Sequence, residues 1–359
     1  MMTGTGAHVF VALRDLRFAK GRFALMGSVV LLITLLVTLL SGLTAGLARD
    51  SASAIEDLPA DHVVFGGETS FAGSRISDAT ARAWQDVAGV RAEPLGVSMG
   101  RMTFGPSGAR GAPAALFGVA PGDRAHPPAS GQIVLSAELA DSTGLAAGAR
   151  VDVLGHRLTV AGTGAASSYS HTPVAWLGIE DWRALEPSGG GPAATVLLLR
   201  ETGRPDLDAA DRRLGTTTIA QGDAKSAIPS FSSENGSLQL MRGFLFAISA
   251  LVIGAFFTVW TIQRRGDVAV LKALGASTGY LLRDALAQAV LVLLAGAGLG
   301  GAAGGLAGLA IGDGVPFVVS AATTVLPVAV LVVLGAAGAA LAIRKITSVD
   351  PLTALGAAR

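Results

Sequence analysis

Residues 263–277 read QRRGDVAVLKALGAS and connect two long apolar runs of the chain. Val270, Leu271 and Leu274 recur at helical spacing, which predicts a short amphipathic helix with its charged side chains on the other side. Gly275 predicts the end of this helix, because glycine is the preferred residue in the left-handed conformation that closes helices. The pattern alone fits two structures, a helix lying in the membrane interface and a helix that docks onto another protein.

The apolar runs on either side belong to a set of four that are long enough to cross a membrane. About 20 apolar residues in a helix span a hydrocarbon core of roughly 30 Å. The predicted transmembrane helices cover residues 23–48, 238–262, 284–312 and 315–343. A cleaved signal peptide is the alternative for the first run. Its apolar core is about twice the usual length of roughly 7–15 residues, which favours a membrane span.

The composition is that of a membrane protein, since 51% of the 359 residues are hydrophobic, 15% are charged and the mean hydropathy is +0.56. Soluble domains carry about 25% charged residues. Residues 49–237 differ, with 36 of the 53 charged side chains, and predict an extracytoplasmic α+β domain with a stalk, inserted between the first two spans. The domain has a net charge of −6 and the remainder +7, which argues against nucleic-acid binding.

Basic residues predict the orientation, because short cytoplasmic loops are enriched in Lys and Arg. They cluster in residues 1–22, 263–283 and 344–359, which we therefore place in the cytoplasm with both chain termini. Residues 1–22 also have the spacing of an interfacial helix, and 344–359 form a cytoplasmic tail. The prediction is a multi-pass protein of the cell (plasma) membrane that contacts lipid.

The inserted domain shows short elements rather than one long pattern. Predicted strands cover residues 61–65, 97–104, 114–119, 132–135, 151–154, 158–161, 173–177 and 195–200. Predicted helices cover residues 136–143, 206–214 and a segment up to residue 87 that Ser77 or Asp78 caps. Residues 230–239 are polar and contain no proline, so we expect one continuous helix that runs into the second span.

No catalytic motif is present in the sequence. The chain lacks the G-x-x-x-x-G-K-[ST], H-E-x-x-H and G-x-S-x-G patterns, so we expect that it is not an enzyme and has no catalytic residues. Its five histidines have no metal-ligand spacing, and the absence of cysteine excludes disulfides, iron–sulfur clusters and thiolate zinc sites. We therefore predict no metal site.

Glycine recurs every four residues in the third span, at positions 296, 300, 304, 308 and 312. Such a stripe lets another helix approach closely. The fourth span carries Gly335 and Gly338 and is the predicted partner of the stripe.

The loop at residues 263–277 carries a resemblance to a known family. Its R-R-x-D-x-x-x-L-K-A-L-G-A-S run resembles the coupling helix of MacB/FtsX-type ABC transporter permeases, and residues 346–355 and 133–162 are similar to further parts of that family. The order of one span, a large outer domain and three spans also matches. The resemblance implies a homodimer bound to a separate cytoplasmic ABC ATPase, which hydrolyses ATP. The implied coupling residues are Arg264, Arg265, Asp267, Val270, Leu271, Lys272 and Leu274.

Within that family, residues 13–23 and 243–263 look most like the HrtB subfamily, the permeases of haem exporters. Haem iron takes an axial His, Tyr, Met or carboxylate ligand, and the propionates need cations or water. The candidate haem-binding residues are Glu234, Met241, Tyr169, His171, Arg242 and Arg49. Glu234 and Met241 lie seven residues apart and would share a helix face. Haem is expected as transported cargo rather than as a permanent cofactor, because no C-x-x-C-H attachment motif occurs.

Other readings of these residues stay open. A glutamate just above a membrane is commonly a solvated charge, and a methionine on an amphipathic helix commonly packs. The expected function is ATP-driven efflux of a hydrophobic or amphiphilic substrate, with haem favoured. The alternatives are export of a lipid, peptide or antibiotic, and FtsX-like transmission of a signal to an extracytoplasmic partner without transport.

Overall fold

The protein is described from a computed structural model. The structure describes residues 20–120, 128–185, 192–229, 231–263, 266, 270–272, 274–311 and 315–347. Two compact units are present: the sheet unit, Leu47–Gly236, and the helical unit, which combines Met1–Gly46 with Ser237–Arg359. Most of the predicted interfacial helix at 1–22 and of the predicted tail at 344–359 falls outside the described residues.

The regular elements of the described residues fall into two sets. The helices are α1 (Lys20–Glu56), α2 (Asp78–Gln85), α3 (Ala137–Thr143), α4 (Ile179–Ala184), α5 (Leu207–Leu214), α6 (Phe231–Gln263), α7 (Thr278–Ile311) and α8 (Ala321–Thr347). The strands are β1 (His62–Gly66), β2 (Val90–Phe104), β3 (Arg110–Val119), β4 (Gln132–Leu135), β5 (Arg150–Val153), β6 (His156–Thr163), β7 (Ser168–Tyr169), β8 (Thr172–Gly178), β9 (Val196–Glu201) and β10 (Thr216–Ala220).

Helices α1, α6, α7 and α8 are long and apolar enough to cross a membrane, over Ala24–Glu56, Phe231–Gln263, Gly279–Ile311 and Ala321–Ala342. The predicted fold class, four apolar helices with an α+β domain inserted after the first, is confirmed. Helix α1 continues for eight residues beyond the predicted span at 23–48, because its polar end is rich in alanine and serine and contains no glycine or proline. Helix α6 begins at Phe231 and has no break, as predicted for residues 230–239.

Three members of the glycine stripe of α7, Gly296, Gly300 and Gly304, pack on α1, so the predicted partner, the fourth span, is wrong for them; Gly308 faces Phe317, within the predicted fourth span. A Cβ at Gly296 would meet the backbone oxygen of Gly27 at 2.8 Å, and a Cβ at Gly304 would meet Thr38 at 2.9 Å. Gly300 faces Leu31 and Thr34 of α1 in the same way. These approaches leave no room for a side chain, so the two helix backbones come close along the stripe. Gly312 lies outside the described residues.

Other glycines hold the fourth span. Gly301 and Gly305 of α7, one position after stripe members, face Val328 and Thr324 of α8. In turn, an ideal Cβ at Gly338 of α8 would lie 3.4 Å from the Cα of Gly254 in α6. The fourth span is therefore contacted by a second row of glycines in α7, and most of the stripe contacts α1.

A single buried cluster joins all four long helices of the helical unit. It includes Val30 of α1, Phe257 of α6, Leu293 of α7 and Ala339 of α8. Leu293 and Ala339 are fully buried. Side-chain packing of this kind stabilises helices in lipid, where no hydrophobic driving force brings them together.

Ten strands form one sheet in the sheet unit. Their order is β10-β1-β9-β2-β3-β8-β4-β6-β5, and β7 pairs with β8 alone. The end of β2 also pairs with β5, through Met102 with Val153 and Phe104 with Val151. Six strands, β2, β3, β8, β4, β6 and β5, therefore close into a ring. Met102, Val153 and Leu177 contribute to the buried cluster of these strands.

A second cluster of the sheet unit is aromatic. Phe117 packs edge-on against Trp176 at 4.9 Å and against Tyr169 at 5.6 Å between ring centroids, and Phe71 contacts Tyr169 at 6.0 Å. Tyr169 is only 5% exposed. Burial raises the pKa of Tyr169 from 10.0 to about 12. Its phenol is therefore a neutral member of the core at physiological pH.

The predicted elements of this unit are present, some with wider bounds. All eight predicted strands and the three predicted helices occur, and Ser77 is the residue that caps α2. Sequence reasoning missed the first half of β2, where Pro94 and Gly96 argue against a strand. Gly96 is needed there because Trp182 of α4 packs directly on it. It also missed β7, β10 and the six-residue α4, which have no clear periodicity.

The close packing of α1 and α7 predicts that Gly300→Val destabilises the helical unit. The new side chain would overlap Leu31 and Thr34, and overpacking of this kind costs about 1–3 kcal/mol. Gly298→Val is the matched control, since no atom lies within 4 Å of its Cβ position. Thermal unfolding in detergent should separate the two variants. Equal melting temperatures would contradict the contact.

The burial of Tyr169 predicts an alkaline loss of stability. In a Tyr280→Phe variant Tyr169 is the sole tyrosine, because the chain has two. The unfolded phenol ionises near pH 10 and the folded one near 12, so stability falls between these values by at most about 1.4 kcal/mol per pH unit. Absorbance and circular dichroism followed against pH measure both events. Ionisation near pH 10 with the fold intact would show that the ring is accessible.

Candidate functional site

The turn between β7 and β8 presents His171. Ser168 pairs with Pro173 and Tyr169 with Thr172, which leaves Ser170 and His171 as a two-residue loop. Both have positive φ, 50° and 59°. Two-residue hairpin loops favour this mirror-image turn, and they usually use Asn or Gly. A serine and a histidine in that conformation are held there by their surroundings.

The C-terminal end of α1, which belongs to the sheet unit, holds this turn by hydrogen bonds. The Ser170 N–H donates to the Ser51 carbonyl oxygen at 2.8 Å. The Ser168 N–H donates to Ser53 Oγ at 2.9 Å, and Ser53 Oγ donates back to the Ser168 carbonyl oxygen at 3.3 Å. These bonds fix the hairpin to the helix at the turn and just before it.

The ring of His171 lies between two carboxylates from two different helices. Its Nδ1 is 2.9 Å from Asp50 Oδ2 on α1, and its Nε2 is 2.9 Å from Glu234 Oε2 on α6. The pKa of His171 is raised above 6.5, first by its hydrogen bond with Glu234 and then by the hydrogen bond and charge of Asp50. Desolvation of the ring lowers the pKa but does not outweigh these contacts. We name His171, Asp50 and Glu234 the histidine cluster.

The structure unites two of the six predicted haem-binding residues, Glu234 and His171, and adds Asp50, which sequence reasoning missed. Asp50 lies 121 residues before His171, and no spacing signal connects them. Tyr169 lies in the aromatic core instead, next to the turn in sequence but facing the other way.

The remaining candidates lie on the same two long helices. Arg49 is exposed on α1, while Met241 is half exposed and Arg242 partly buried on α6. Met241 and Arg242 belong to the helical unit and Glu234 to the sheet unit.

The histidine cluster does not have the geometry of a metal site. Asp50 and Glu234 bind opposite nitrogens of the ring, so the three side chains cannot point at one ion. Among the described residues, no group of three His, Cys, Asp or Glu side chains is arranged to hold a metal ion.

The predicted coupling segment ends as its sequence indicates. Gly275 has a positive φ of +96°. The Gly275 N–H donates to the Lys272 carbonyl oxygen at 3.0 Å, and the Ala276 N–H donates to the Leu271 carbonyl oxygen at 3.0 Å. This pair of bonds is the glycine-closed helix end known as a Schellman motif. Helix α7 then begins with a cap, in which the Tyr280 N–H donates to Ser277 Oγ at 3.3 Å.

The apolar side chains of this segment are exposed. Val270 is 61%, Leu271 43% and Leu274 80% exposed. Three exposed aliphatic side chains on one short segment form a patch that an interface or a partner protein would cover. The predicted charged members of this segment, Arg264, Arg265 and Asp267, lie outside the described residues.

Comparison with known proteins agrees with these features. Residues 240–351 match the model of the FtsX-like permease C-terminal domain. The chain is 26% identical over 354 residues, 96% of its length and 99% of the relative, to a Staphylococcus epidermidis protein with the inferred name hemin transport system permease protein HrtB. A Staphylococcus haemolyticus protein of the same inferred name is 24% identical over 352 residues, with the same coverage.

A solved structure resembles part of the chain. The periplasmic region of MacB from Actinobacillus actinomycetemcomitans aligns with a TM-score of 0.36 and 11% identity, covering 47% of this chain and 92% of that one. The sequence matches and the four apolar helices together confirm the expected resemblance. The chain is a multi-pass membrane protein in which residues 240–351 match the FtsX-like permease C-terminal model, and over nearly its whole length it is similar to proteins named as hemin transport permeases.

Proposed function

We propose that the chain is the permease subunit of an ABC-type exporter that expels a hydrophobic or amphiphilic substrate, with haem as the favoured cargo. The observation that carries this proposal is the similarity over 96% of the chain to two proteins named for hemin transport. An ABC permease of this type works with a separate ATPase subunit, and the sequence has no phosphate-binding loop of its own.

The exposed patch of Val270, Leu271 and Leu274 is the proposed contact with that ATPase. Aliphatic side chains of this size gain about 1.5–3 kcal/mol each on full burial, which is enough to anchor a docking segment. Lys272, Arg264, Arg265 and Asp267 would supply charge at the rim of the contact. This assignment places residues 263–283 and both termini in the cytoplasm.

Helices α1 and α6 are the proposed transmitters of motion. They contain 37 and 33 residues without a break, so each is roughly 50 Å long at 1.5 Å per residue. A helix of that length moves as a rod, and a displacement at one end is felt at the other. In the proposed mechanism, closure of the ATPase pushes on the patch and the two helices move against those of a second copy.

A second copy is part of the proposal because α6 carries an exposed apolar stripe. Exposed side chains recur at intervals of three and four residues at Leu240, Phe244, Ile248 and Leu251. Lipid would cover such a stripe equally well. In a homodimer, it would provide the apolar wall that a haem macrocycle entering sideways from lipid needs.

The proposed haem-binding residues are Glu234 and Met241 on α6, with His171 as a further iron ligand. Arg49 and Arg242 would pair with the propionates. Glu234 and Met241 are both exposed. Tyr169 is excluded as an iron ligand. Its phenol is buried and cannot reach a cargo, and a pKa raised to about 12 keeps it from supplying a phenolate.

We expect the purified chain to bind haemin saturably, with a shift of the Soret band, and Glu234→Ala to weaken the affinity about tenfold or more. The reason is the loss of an iron ligand worth at least about 1.4 kcal/mol. Tyr169→Phe and Glu180→Ala, an exposed carboxylate elsewhere in the sheet unit, are the controls and should bind as the wild type.

Absence of a saturable Soret shift in the wild type would overturn haem as cargo. The alternatives would then be export of a lipid, peptide or antibiotic, or transmission of a signal to an extracytoplasmic partner. Unchanged affinity in Glu234→Ala would remove that residue from the site.

We expect Leu274→Asp to prevent co-purification with the partner ABC ATPase, because a carboxylate in the patch cannot be buried without a partner. Met99→Asp, an exposed apolar position in β2, is the matched control. Co-purification and stimulated ATP hydrolysis measure the contact. Normal behaviour of Leu274→Asp would mean that the patch faces lipid.

A further inference from the structure

The first part of β2 is paired along one edge only. Strand β9 pairs with Val90–Leu95 along one edge of β2. Along the other edge, β3 pairs with β2 from Leu95 onward, where Leu95 lies opposite Val119, the last residue of β3. Among the residues that the structure describes, no strand pairs with residues 90–94 on that second edge. We name this stretch, residues 90–94, the open edge of β2.

The backbone of Ala92 faces the open edge. The Gly89 carbonyl oxygen accepts a hydrogen bond from the Thr202 N–H at 2.9 Å, so it points toward β9. The Leu95 carbonyl oxygen accepts one from the Thr195 N–H at 2.9 Å and points the same way. Successive residues of a strand direct their backbone groups alternately to its two edges. The N–H and C=O of Ala92, three positions from each of these residues, therefore point away from β9, and groups of this kind are a template for a further strand.

A cavity of about 370 Å³ lies along the open edge. It is lined by residues 90–94, by Gln85 at the end of α2 and by Ala120, the residue after β3. Its volume lies within the range of roughly 300–1,000 Å³ that is usual for ligand sites. All of its lining belongs to the sheet unit. The space beside the open edge can therefore accommodate part of a further strand.

Glu93 brings a buried carboxylate to this cavity. Its side chain is 10% exposed, and its Oε1 lies 2.8 Å from Nε of Arg91, whose side chain is 65% exposed. The second oxygen, Oε2, is buried and has no hydrogen-bond partner among the described residues. Buried polar atoms are almost always hydrogen-bonded, and a buried charge without a full set of partners is costly. A donor from another molecule would satisfy this oxygen, and a cationic donor matches a carboxylate best.

We propose that the open edge of β2 binds an extended peptide segment of another protein, which adds as an antiparallel strand and places a Lys or Arg side chain opposite Glu93. The segment takes the position beside β2 that β3 takes from Leu95 onward. Addition of a strand to a sheet edge is a common mode of peptide recognition, in which the backbone supplies affinity and alternate side chains supply specificity. The site is separate from the proposed transport function, because it involves neither the cargo residues nor the exposed patch.

The register of the open edge determines which side chains it selects. Ala92 exchanges both backbone hydrogen bonds with the peptide residue opposite it, so that residue cannot be proline. Side chains directly opposite each other in an antiparallel pair share a face, with Cβ atoms about 4.5–5.5 Å apart. Glu93 therefore selects a basic residue. Arg91, two positions earlier on the same face, selects an acidic one. The predicted motif, read from the N-terminus, is a basic residue, any residue except proline, and an acidic residue.

The test is the binding of short peptides to the full-length chain in nanodiscs, without ATPase or haem. The probe is Thr-Val-Arg-Val-Glu-Val-Thr with an N-terminal fluorophore and a C-terminal amide, and its binding is followed by fluorescence anisotropy. The control peptide has its Arg and Glu exchanged, so it keeps the composition and net charge but places like charges opposite Glu93 and Arg91. We expect saturable binding of the probe and an affinity about tenfold lower, or weaker still, for the control peptide.

Glu93→Gln removes the charge with little change of shape and should weaken binding of the probe about tenfold. Glu180→Gln, at a carboxylate that is 77% exposed elsewhere in the sheet unit, is the matched control and should bind the probe as the wild type does. Thermal unfolding of each variant shows whether it is folded. The comparison of the two peptides uses the unaltered chain, so it is decisive even if Glu93→Gln does not fold.

No saturable binding of the probe, or equal affinity for the two peptides, would overturn the proposed site. Unchanged affinity in a folded Glu93→Gln variant would overturn it as well, because the peptide would then bind elsewhere. The result is independent of transport: a chain without haem affinity still binds the probe if the site exists, and a haem-binding chain without the site does not.

Discussion

In hydrocarbon, every backbone N–H and C=O must be satisfied within its own segment, and this requirement determines the form of the helical unit. It makes each crossing a complete helix, and in α1 and α6 the same helix continues into polar sequence. The crossings cannot be held together by the hydrophobic effect, because lipid is as apolar as their surfaces. Glycine contacts replace it: α7 uses one row of glycines for α1 and the neighbouring positions for α8. The proposed transmission of motion depends on both properties, unbroken helices and close packing between them.

Much of this architecture is predictable from the sequence, because the relevant signals are local. Apolar runs identify the four helices, alternation identifies most strands, and Gly275 marks the end of the exposed segment. The partner of the glycine stripe is not local information: a row of glycines shows that some helix approaches, but every neighbour in the bundle fits the pattern equally. The closure of the sheet through Met102 and Val153 and the pairing of Asp50 with His171 are likewise decided by contacts between residues far apart in the sequence.

The candidate site illustrates the same limit on a smaller scale. Tyr169 and His171 stand two residues apart and offer similar ligand chemistry, so sequence reasoning treats them alike. In the structure, the pleat of β7 sends Tyr169 into the aromatic core, where burial keeps its phenol neutral, while the turn carries His171 out to Asp50 and Glu234. Side-chain direction in a two-residue strand depends on its register with β8, and that register becomes visible only when the hairpin is built.

The turn at Ser170 and His171 has a consequence for how this protein tolerates change. Asparagine followed by glycine would relax the left-handed backbone there, and a screen for thermostable variants would favour that exchange. The same exchange would erase the imidazole. Selection for stability and retention of the histidine cluster therefore oppose each other at these two positions, and a homologue in which the loop reads Asn-Gly would lack the ring that joins Asp50 and Glu234.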